Sequence, residues 1–407
     1  MSRVIIIGGG AAGLAAAVSA ASCGDEVLVL ERMDRVGKKL LATGNGRCNL
    51  MNTQNLRYPG GADFAAEVLK RCGPADQRRF WEGLGLRLRE EGEGRVYPAD
   101  AQAATVLDVL RLHLARLGVA VQTGVQVTAL TREGRRWRVT AASGETWTAD
   151  RVIVAGGGRA QPKLGSDGSA YVLLTAQGHR LRTPMPALTQ IETERKPIAG
   201  LSGIRVKCGV SVWRSGKVLH QESGEALFAD YGVSGVCVMQ CAQYAAKPDT
   251  SLSLCLLPDM GITDEEILRT ELWRRRTDWA RVLLEQLWTG LSPTRLGQAL
   301  FRRADIRPNE RVCGSLTEAE INRLAAAAAA FTLRVTGIRG FDTAQVTAGG
   351  IDTDGFDPAN LASRIAPGLH AAGEVLDVDG DCGGFNLMFA FGSGILAGLN
   401  GRKLNHP

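Results

Sequence analysis

The hydrophobic pattern predicts a buried parallel strand at the beginning of the chain. Val4–Ile7 is a continuous β-branched run, which is typical of a strand that is covered on both faces. The glycine-rich turn Gly8–Gly13 follows, and the alanine-rich stretch Ala11–Cys23 predicts a helix. Glu26–Leu30 then predicts a second buried strand. Together these segments predict a βαβ unit of the length that dinucleotide-binding folds use.

The middle of the first half has two further patterns. Residues 62–117 have mostly helical apolar spacing and are expected to form an excursion above the sheet. Residues 119–131, 136–141 and 146–154 alternate apolar and polar positions between glycine and charged turns, and predict an antiparallel meander. The last of these strands runs into Gly156-Gly157-Gly158.

A change of pattern at Thr183–Pro186 indicates a domain boundary, because prolines break regular structure there. Beyond it, residues 187–260 alternate as β-strands do, whereas residues 264–300 and 316–331 have helical spacing. We therefore interpret 187–345 as an inserted domain.

The remaining residues are expected to return to the first domain, with a strand at Leu369–Ala372 and a helix at Gly384–Leu399. A chain of 407 residues is long enough for two or three domains. The first domain is predicted to have two parts, residues 1–186 and 346–407, with residues 187–345 inserted between them. The insert is predicted to be β-like over about 187–260 and helical over about 261–335.

Composition and charge exclude several classes of protein. Hydrophobic residues at 45% and charged residues at 22% are typical of a globular protein rather than a disordered chain. The first apolar helix is too short and interrupted to cross a membrane, so we expect a cytoplasmic protein without a membrane partner. The net charge of +6 is too diffuse to indicate nucleic acid. Nine scattered cysteines without zinc spacing predict reduced thiols and no metal site.

The first glycine motif has the spacing of a dinucleotide-binding turn. Gly8 permits a tight turn, Gly10 lets a diphosphate approach the backbone, and Gly13 allows close packing of helix on strand. The amides at the helix N-terminus would bind the phosphate charge. Glu31 closes the next strand, where its carboxylate can accept the ribose hydroxyls and would repel a 2′-phosphate. The predicted ligand is therefore FAD or NAD.

A second motif follows directly at residues 37–49. Its small residues and amides can crowd a diphosphate and a flavin ring, and Lys38, Lys39 or Arg47 can balance charge. Cys48 invites a redox role, but the partner position of a C-x4-C pair is occupied by Thr43. A dithiol mechanism is therefore not expected, and Cys48 is interpreted as a packing or flavin-contacting residue.

A third motif spans residues 373–388. A strand delivers Glu374 to the sheet edge, where a carboxylate can bind ribityl hydroxyls. A Gly-Gly turn then begins a helix, whose positive N-terminal end would stabilise an anionic reduced flavin near N1 and O2. Asp377, Asp379 and Asp381 do not match a calcium loop, because the glycine and terminal glutamate positions are wrong.

Four segments resemble the bacterial BaiN/YhiN-type flavoproteins: Gly8–Gly13 with Glu31, Thr43–Asn49, Val346–Gly350 and Ala372–Gly380. The resemblance spans nearly the whole chain. It implies an α/β fold, in which a glutathione-reductase-type Rossmann FAD-binding domain is split by an inserted β-barrel and a small helical domain. Family members are NAD(P)/FAD-dependent oxidoreductases, some similar to bile-acid 4,6-ene reductases and others to aminoacetone oxidases.

The chain departs from the family pattern at two places. Residues 163–169 match the family's Gly-Ser-Thr-Gly-Asp-Gly run only in part, so no contact is assigned to them. Met388-Phe389 stands where more polar or indole side chains are expected, so the flavin-facing pocket is expected to differ.

The leading functional hypothesis is a two-electron flavin oxidoreductase, in which NADH or NADPH reduces FAD and an activated alkene of a small molecule is the acceptor. Gly156–Gly158 lacks the third glycine of a second nucleotide fingerprint, so the nicotinamide is expected to bind transiently. A flavin amine oxidase that uses oxygen is an open alternative. Tyr231, Cys382 and the aspartates near Gly380 are candidate proton donors, but no spacing identifies a catalytic residue.

A hypothesis of another class is an RNA-associated flavoprotein. Arg274–Arg276 is flanked by Trp273 and Trp279, and interleaved basic and aromatic residues are typical of single-strand binders. Five nearby acidic residues dilute this charge, which favours a solvated helix face. Nucleic acid is therefore not expected as a partner.

The candidate cofactor-binding positions come from the three motifs and from three further positions, Arg32, Val127 and Gly156. They are Gly8, Gly10, Ala11, Ala12, Gly13, Glu31, Arg32, Lys38, Lys39, Thr43, Gly44, Gly46, Arg47, Cys48, Asn49, Val127, Gly156, Gly373, Glu374, Gly384, Phe385, Asn386 and Leu387.

Overall fold

The computed structural model describes residues 1–403. The strands in this part of the chain are β1 (Arg3–Ile7), β2 (Glu26–Glu31), β3 (Met51–Asn52), β4 (Leu88–Glu91), β5 (Arg95–Pro98), β6 (Ala120–Thr123), β7 (Val127–Glu133), β8 (Arg136–Ala141), β9 (Thr146–Ala149), β10 (Arg151–Val154), β11 (Leu181–Ala187), β12 (Ile191–Thr193), β13 (Arg205–Arg214), β14 (Lys217–Ala229), β15 (Gly232–Ser234), β16 (Thr250–Cys255), β17 (Phe331–Ile338), β18 (Val346–Ile351) and β19 (Leu369–Ala371).

The α-helices are α1 (Ala11–Ser22), α2 (Lys38–Ala42), α3 (Ala62–Arg71), α4 (Pro74–Gly83), α5 (Ala103–Arg116), α6 (Ser169–Thr175), α7 (Val236–Gln240), α8 (Ala242–Ala245), α9 (Glu265–Asp278), α10 (Thr294–Arg303), α11 (Glu318–Ala329) and α12 (Phe385–Leu399). Within residues 1–403, none of these helices is long and apolar enough to cross a membrane.

The chain divides into two compact units. The first contains residues 1–186 and the part from Ala344 onward, and the second is Ala187–Thr343. The first unit is built around a five-stranded sheet in the order β19-β10-β1-β2-β6. All neighbouring strands in it run parallel. The carboxyl ends of β1, β2, β10 and β19 therefore share one edge, where ligands bind in open parallel sheets.

The predicted meander is only partly correct. Strands β7, β8 and β9 form the antiparallel sheet. The flanking strands β6 and β10 belong instead to the parallel sheet. Strand β6 lies at its edge, and β10 lies in its interior. Every residue of β10 is buried, as expected of a strand covered on both faces. The excursion at 62–117 also carries strands, because β4 and β5 join β3 in a small sheet.

Helices α1 and α12 approach each other closely because both are rich in small residues. A Cβ on Gly394 would lie 2.3 Å from the Ala12 carbonyl oxygen, and one on Gly398 would lie 2.4 Å from that of Ala16. Real Cβ atoms do not approach this closely. The composition of both helices therefore follows from their packing, which brings the N-terminal and C-terminal motifs of the first unit together.

The second unit contains a closed barrel in the order β12-β15-β14-β13-β16-β17. Alternate residues point inward, and Val206, Val210 and Val212 on β13 are fully buried. The helices α9, α10 and α11 lie between β16 and β17 in the chain. The helical part was predicted to continue to about 335, but the last barrel strand begins at Phe331. This strand was missed because its apolar alternation directly follows an alanine run that favours helix.

Candidate functional site

The three glycines of the first motif have different structural roles. Gly8 has φ +107°, and a Cβ on it would lie 2.5 Å from the Ala155 carbonyl oxygen. A Cβ on Gly13 would lie only 1.9 Å from the Gly8 carbonyl oxygen. A Cβ on Gly10 would meet no atom within 4 Å, and its φ of −88° suits any residue. Gly8 and Gly13 are therefore required by packing, whereas Gly10 leaves open space at the start of α1.

That space adjoins free backbone donors. Helix α1 begins at Ala11 without a side-chain cap from Gly10. The first N–H groups of a helix have no partner within the helix and carry partial positive charge, so they bind anions. The amides of Ala11, Ala12 and Gly13 are thus available to a diphosphate, as the spacing predicts.

Glu31 lies at the end of β2 with its carboxylate held in place. Its Oε2 accepts a hydrogen bond from the Gly9 amide at 2.7 Å, and its Oε1 accepts one from the Met33 amide at 2.8 Å. The side chain is buried. The Val125 amide donates to the Glu31 carbonyl at 2.9 Å, and Val127 begins β7 two residues later. Glu31 and Val127 therefore lie at the same end of the site.

Lys39 joins the second motif to the third. Its Nζ lies 2.6 Å from Glu374 Oε2, and Glu374 Oε1 accepts the Thr347 amide at 2.9 Å. A Cβ on Gly158 would lie 2.9 Å from Glu374 Oε1. The carboxylate that was predicted to bind ribityl hydroxyls is thus placed at the ends of β10 and β19, with its charge compensated by Lys39.

The other two cations of the second motif are also paired. Lys38 Nζ lies 2.5 Å from Asp34 Oδ1. The Arg47 guanidinium bonds Glu91 Oε1 at 2.6 Å and lies 4.3 Å from the Tyr97 ring centroid. Of the three predicted charge-balancing residues, Lys39 is therefore the one whose ion pair connects two of the motifs.

Cys48 is fully buried, and burial raises the pKa of its thiol to about 12. The thiol is therefore protonated at neutral pH and is a poor nucleophile. Its amide donates to the Thr43 carbonyl at 3.1 Å, which closes the turn that contains Gly44 and Gly46. These features support a packing role for Cys48.

Asn49 and helix α12 form a second place for polar ligand atoms. Asn49 Oδ1 is buried and has no hydrogen-bond partner among residues 1–403. A Cβ on Gly384 would lie 2.7 Å from this oxygen, so the side chain faces the start of α12, which has no side-chain cap. An unpaired acceptor beside free helix amides fits a ring edge that carries both an N–H donor and a carbonyl oxygen. The pyrimidine edge of a flavin has this arrangement.

The residues that follow Gly384 support this turn. Asn386 Nδ2 donates to the Gly380 carbonyl at 2.7 Å, and its Oδ1 accepts the Gly380 amide at 2.8 Å. Phe385 is buried and packs edge-on against Tyr58, and Leu387 is partly buried. Their side chains shape the turn, so a contact from Phe385 or Asn386 to a ligand would come from the backbone at the helix start.

Gly373 and Gly156 allow close packing at the sheet edge. The Gly373 amide donates to Ser393 Oγ at 2.9 Å, and a Cβ on Gly373 would lie 2.8 Å from that of Ala12. A Cβ on Gly156 would lie 2.6 Å from the Ala170 Cβ. Both positions are therefore explained by close packing around the sheet edge.

Residues 163–169, to which no contact was assigned from the sequence, lie beside the end of β2. Arg32 was predicted to contact the cofactor, and in the structure its guanidinium pairs with the Asp167 carboxylate. A Cβ on Gly165 would lie 2.9 Å from Met33 Cγ. These contacts fall in residues 163–169, where the partial match to the family run permitted no assignment.

Two of the candidate proton donors, Cys382 and Tyr231, have different surroundings. Burial raises the pKa of the Cys382 thiol, which disfavours its thiolate. The Arg339 guanidinium lies 5.0 Å from the Tyr231 ring centroid in the second unit. Among the described residues, no group of three or more His, Cys, Asp or Glu side chains is arranged to hold a metal ion.

The arginine and tryptophan residues of α9 contact each other and nearby groups. Arg275 lies 4.4 Å from the Trp279 ring centroid, and Arg276 lies 4.8 Å from that of Trp273. Arg274 bonds both oxygens of Glu271. The interleaved pattern is therefore explained by packing within the helical part, where these cations and rings satisfy one another.

The whole chain is similar to known proteins. The chain is 38% identical to the 3-dehydro-bile acid delta(4,6)-reductase of Clostridium scindens over 408 residues, and this alignment covers 98% of each chain. It is 27% identical over 409 residues to the ribosomal RNA dihydrouridine synthase of Haemophilus influenzae, again 98% of each. Among solved structures, a 3-ketosteroid-delta4-(5alpha)-dehydrogenase from Rhodococcus jostii RHA1 has a TM-score of 0.48 and 16% identity, covering 99% of this chain and 97% of that chain.

The family described as HI0933-like protein Rossmann domain matches residues 2–400. This match and the 38% identity confirm the predicted resemblance and the prediction of an FAD-dependent oxidoreductase. The parallel sheet and the closed barrel confirm the predicted fold class. The chain belongs to the HI0933-like Rossmann family.

Proposed function

We propose that this protein reduces a carbon–carbon double bond conjugated to a carbonyl group in a small molecule, with FAD as its cofactor and NADH or NADPH as the reductant. The observation that carries the proposal is the 38% identity, over 98% of both chains, to a 3-dehydro-bile acid delta(4,6)-reductase. The site contains groups suited to the diphosphate, the ribose and the pyrimidine edge of FAD.

Different residues of the first unit would bind different parts of FAD. The amides at the start of α1 would hold the diphosphate, and Glu31 would accept the ribose hydroxyls. The unpaired Asn49 Oδ1 and the start of α12 would bind the pyrimidine edge of the flavin. Bound FAD supplies hydride transfer, while the protein supplies orientation and electrostatics.

Helix α12 would also favour the reduced cofactor. This helix of fifteen residues begins at Phe385 without a side-chain cap, and the partial positive charge of its backbone is concentrated at that N-terminus. Negative charge on the reduced ring would be stabilised there. Lys39 adds a cation close to the same edge of the sheet, and Glu374 moderates its charge.

A small conjugated substrate is favoured over RNA. Reduction of uracil to dihydrouracil also adds hydrogen across a double bond conjugated to a carbonyl, so both named relatives are consistent with one kind of chemistry. The difference lies in the partner. The basic and aromatic residues of α9 are engaged with one another, with Glu271 and with nearby carbonyls, and do not form an open binding surface.

A nicotinamide cofactor is the proposed reductant. The chain has one full nucleotide fingerprint, at Gly8–Gly13, and FAD would occupy it. NADH or NADPH would then bind transiently. A supply of reduced nicotinamide and nine free cysteines both fit a cytoplasmic location.

The experiment uses the purified holoenzyme without oxygen. NADH and NADPH are each added, followed by a steroid that has a 4,6-diene conjugated to a 3-oxo group. The proposal predicts bleaching of the flavin by one or both nucleotides, reoxidation by the steroid, and a steroid product that has gained two hydrogen atoms across one former double bond. A flavin that is bleached but reoxidised only by oxygen would support the oxidase alternative instead.

A further inference from the structure

Residues 159–168 follow β10 and are held in place at their beginning. The amides of Arg159 and Ala160 donate to Thr347 Oγ1 at 2.8 and 3.0 Å. Gln161 Nε2 donates to the Ala344 carbonyl at 3.2 Å. This segment, which we call the 159–168 segment, is therefore anchored on the side of β10 and β18.

The far end of the same segment is attached beside β2. A Cβ on Gly165 would lie 2.9 Å from Met33 Cγ and 3.9 Å from Glu31 Oε1. The Asp167 carboxylate pairs with the Arg32 guanidinium, and Arg32 also bonds Ser169 Oγ at 3.5 Å. Burial opposes ionisation of Asp167, but the hydrogen bonds from Arg32 and Ser169 keep its pKa below the ordinary value.

The strand order shows what lies beneath this segment. In the sheet, β1 lies between β10 and β2. A segment anchored beside β10 and attached beside β2 must cross the carboxyl end of β1. That end is the Gly8–Gly13 turn, where the diphosphate is expected.

Ser166 has an unused hydroxyl in the middle of this crossing. The side chain is buried, with 4% exposure, and its Oγ has no hydrogen-bond partner among residues 1–403. A Cβ on Gly157 would lie 2.8 Å from this oxygen. Buried hydroxyls are normally paired, and an unpaired one costs about 1–3 kcal/mol unless a ligand or water satisfies it.

We infer that the 159–168 segment binds the adenosine diphosphate half of FAD. Ser166 Oγ donates a hydrogen bond to a phosphate oxygen, and the Arg32–Asp167 ion pair holds the segment closed over the ribose at Glu31. This inference rests on the proposed function, because it requires FAD in the first unit. It adds a ligand, Ser166, and a positioning pair that no motif indicated.

The first test compares FAD with ADP as probes on apoprotein prepared by removal of the flavin. ADP carries the adenosine diphosphate half alone. The Ser166→Ala variant is expected to weaken binding of FAD and of ADP by the same factor, about tenfold, since a hydrogen bond to a charged oxygen is lost. Ser143→Ala, in an exposed turn, is the matched control and should leave both affinities unchanged.

Three results would overturn this part of the inference. They are unchanged affinity for both probes, a loss for FAD without a loss for ADP, and no binding of ADP by the wild-type apoprotein. Each of these leaves FAD bound by the wild-type protein. A protein that takes up no FAD at all would instead contradict the proposed function, so the two failures are distinguishable.

The second test addresses the ion pair through the rate of FAD dissociation. Asp167→Asn is expected to speed dissociation about tenfold, and the exchanged pair Arg32→Asp with Asp167→Arg is expected to return it to within about threefold of wild type. Asp108→Asn, which removes an exposed partner of Arg111, is the control. If the ion pair were purely structural, Asp167→Asn would lower the melting temperature of the apoprotein, and the exchanged variant would not restore the rate of FAD dissociation. That result would overturn the inference.

Discussion

Lys39 Nζ lies 2.6 Å from Glu374 Oε2, although 335 positions separate the two residues in the chain. Lys39 belongs to the motif that follows β2, and Glu374 to the motif that follows β19. Their side chains are about 23% and 20% exposed, so the pair is partly shielded from solvent. The two ends of the first unit are therefore linked by charge at the edge where FAD is proposed to bind.

Removing Lys39 should weaken FAD binding more than removing both partners. In Lys39→Met, the Glu374 carboxylate keeps a negative charge near an anionic cofactor, and we expect the FAD dissociation constant to rise about tenfold. The double variant Lys39→Met with Glu374→Gln loses both charges and should recover part of this affinity. Equal losses in the single and double variants, measured by flavin fluorescence titration, would show that the pair does not act through charge.

Substitutions at two glycines of the first motif should affect stability and FAD binding separately. Gly13→Ala would place a Cβ 1.9 Å from the Gly8 carbonyl oxygen, so the apoprotein should lose about 3 kcal/mol of stability. Gly10→Ala meets no atom within 4 Å and should leave the apoprotein about as stable as wild type. Its methyl group enters the space proposed for the diphosphate, so FAD affinity should fall about tenfold. Thermal unfolding of the apoprotein and FAD titration measure the two effects, and tight FAD binding by Gly10→Ala would contradict the proposed site.

His370 should make the protein sensitive to acid. Burial, and secondarily the Arg151 charge, lowers the pKa of this histidine to about 4 from an ordinary value near 6.5. The unfolded chain therefore takes up a proton below about pH 6.5, which the folded chain takes up only near pH 4. This contribution to stability is complete above about pH 6.5 and is lost as the pH falls towards 4.

The His370→Gln variant tests this effect, because glutamine does not titrate. Between pH 6.5 and 4, the unfolding free energy of wild type should fall more steeply than that of the variant, by up to about 1.4 kcal/mol per pH unit. Urea unfolding at several pH values measures both slopes. Parallel slopes would mean that His370 titrates alike in the folded and unfolded chains.

Arg275 and Arg274 are adjacent on α9 but should differ in their effect on stability. Arg275 is 7% exposed and donates to the Leu287 and Thr289 carbonyls, both at 2.7 Å. Arg275→Met leaves these acceptors unpaired and should cost about 3 kcal/mol. Arg274 is 53% exposed, and Arg274→Met should cost less than about 1 kcal/mol. Similar melting temperatures for the two variants would contradict the proposed packing role of Arg275.

The parts of the fold that local pattern determines could be predicted from the sequence. The run Val4–Ile7, the glycine turn and the acid at Glu31 depend on contacts within one βαβ unit, so their spacing predicts both structure and ligand. Strands β6 and β10 were assigned to the meander because sequence alternation does not show which sheet a strand joins. Partner choice depends on residues distant in the chain, and here Val152 pairs with Leu369.

The local geometry of the candidate site was predictable where glycine spacing determines it, and was hidden where it depends on long-range contacts. Gly8, Gly10 and Gly13 have the geometric roles expected from their spacing. The Arg32–Asp167 pair spans two segments with no shared periodicity, and the proximity of Ser166 to Gly157 results from a turn. The charged run on α9 was ambiguous for the same reason, because sequence does not show whether an arginine faces solvent or a backbone carbonyl.

The central claim is that reduced flavin on this protein passes its electrons to a conjugated enone. The most direct measurement is the rate of flavin reoxidation in a stopped-flow mixer without oxygen, after reduction to the two-electron level. The account predicts rapid reoxidation by a 3-oxo-4,6-diene steroid and none by its fully saturated analogue or by uridine-containing RNA. Reoxidation by RNA but not by the steroid, or by oxygen alone, would contradict it.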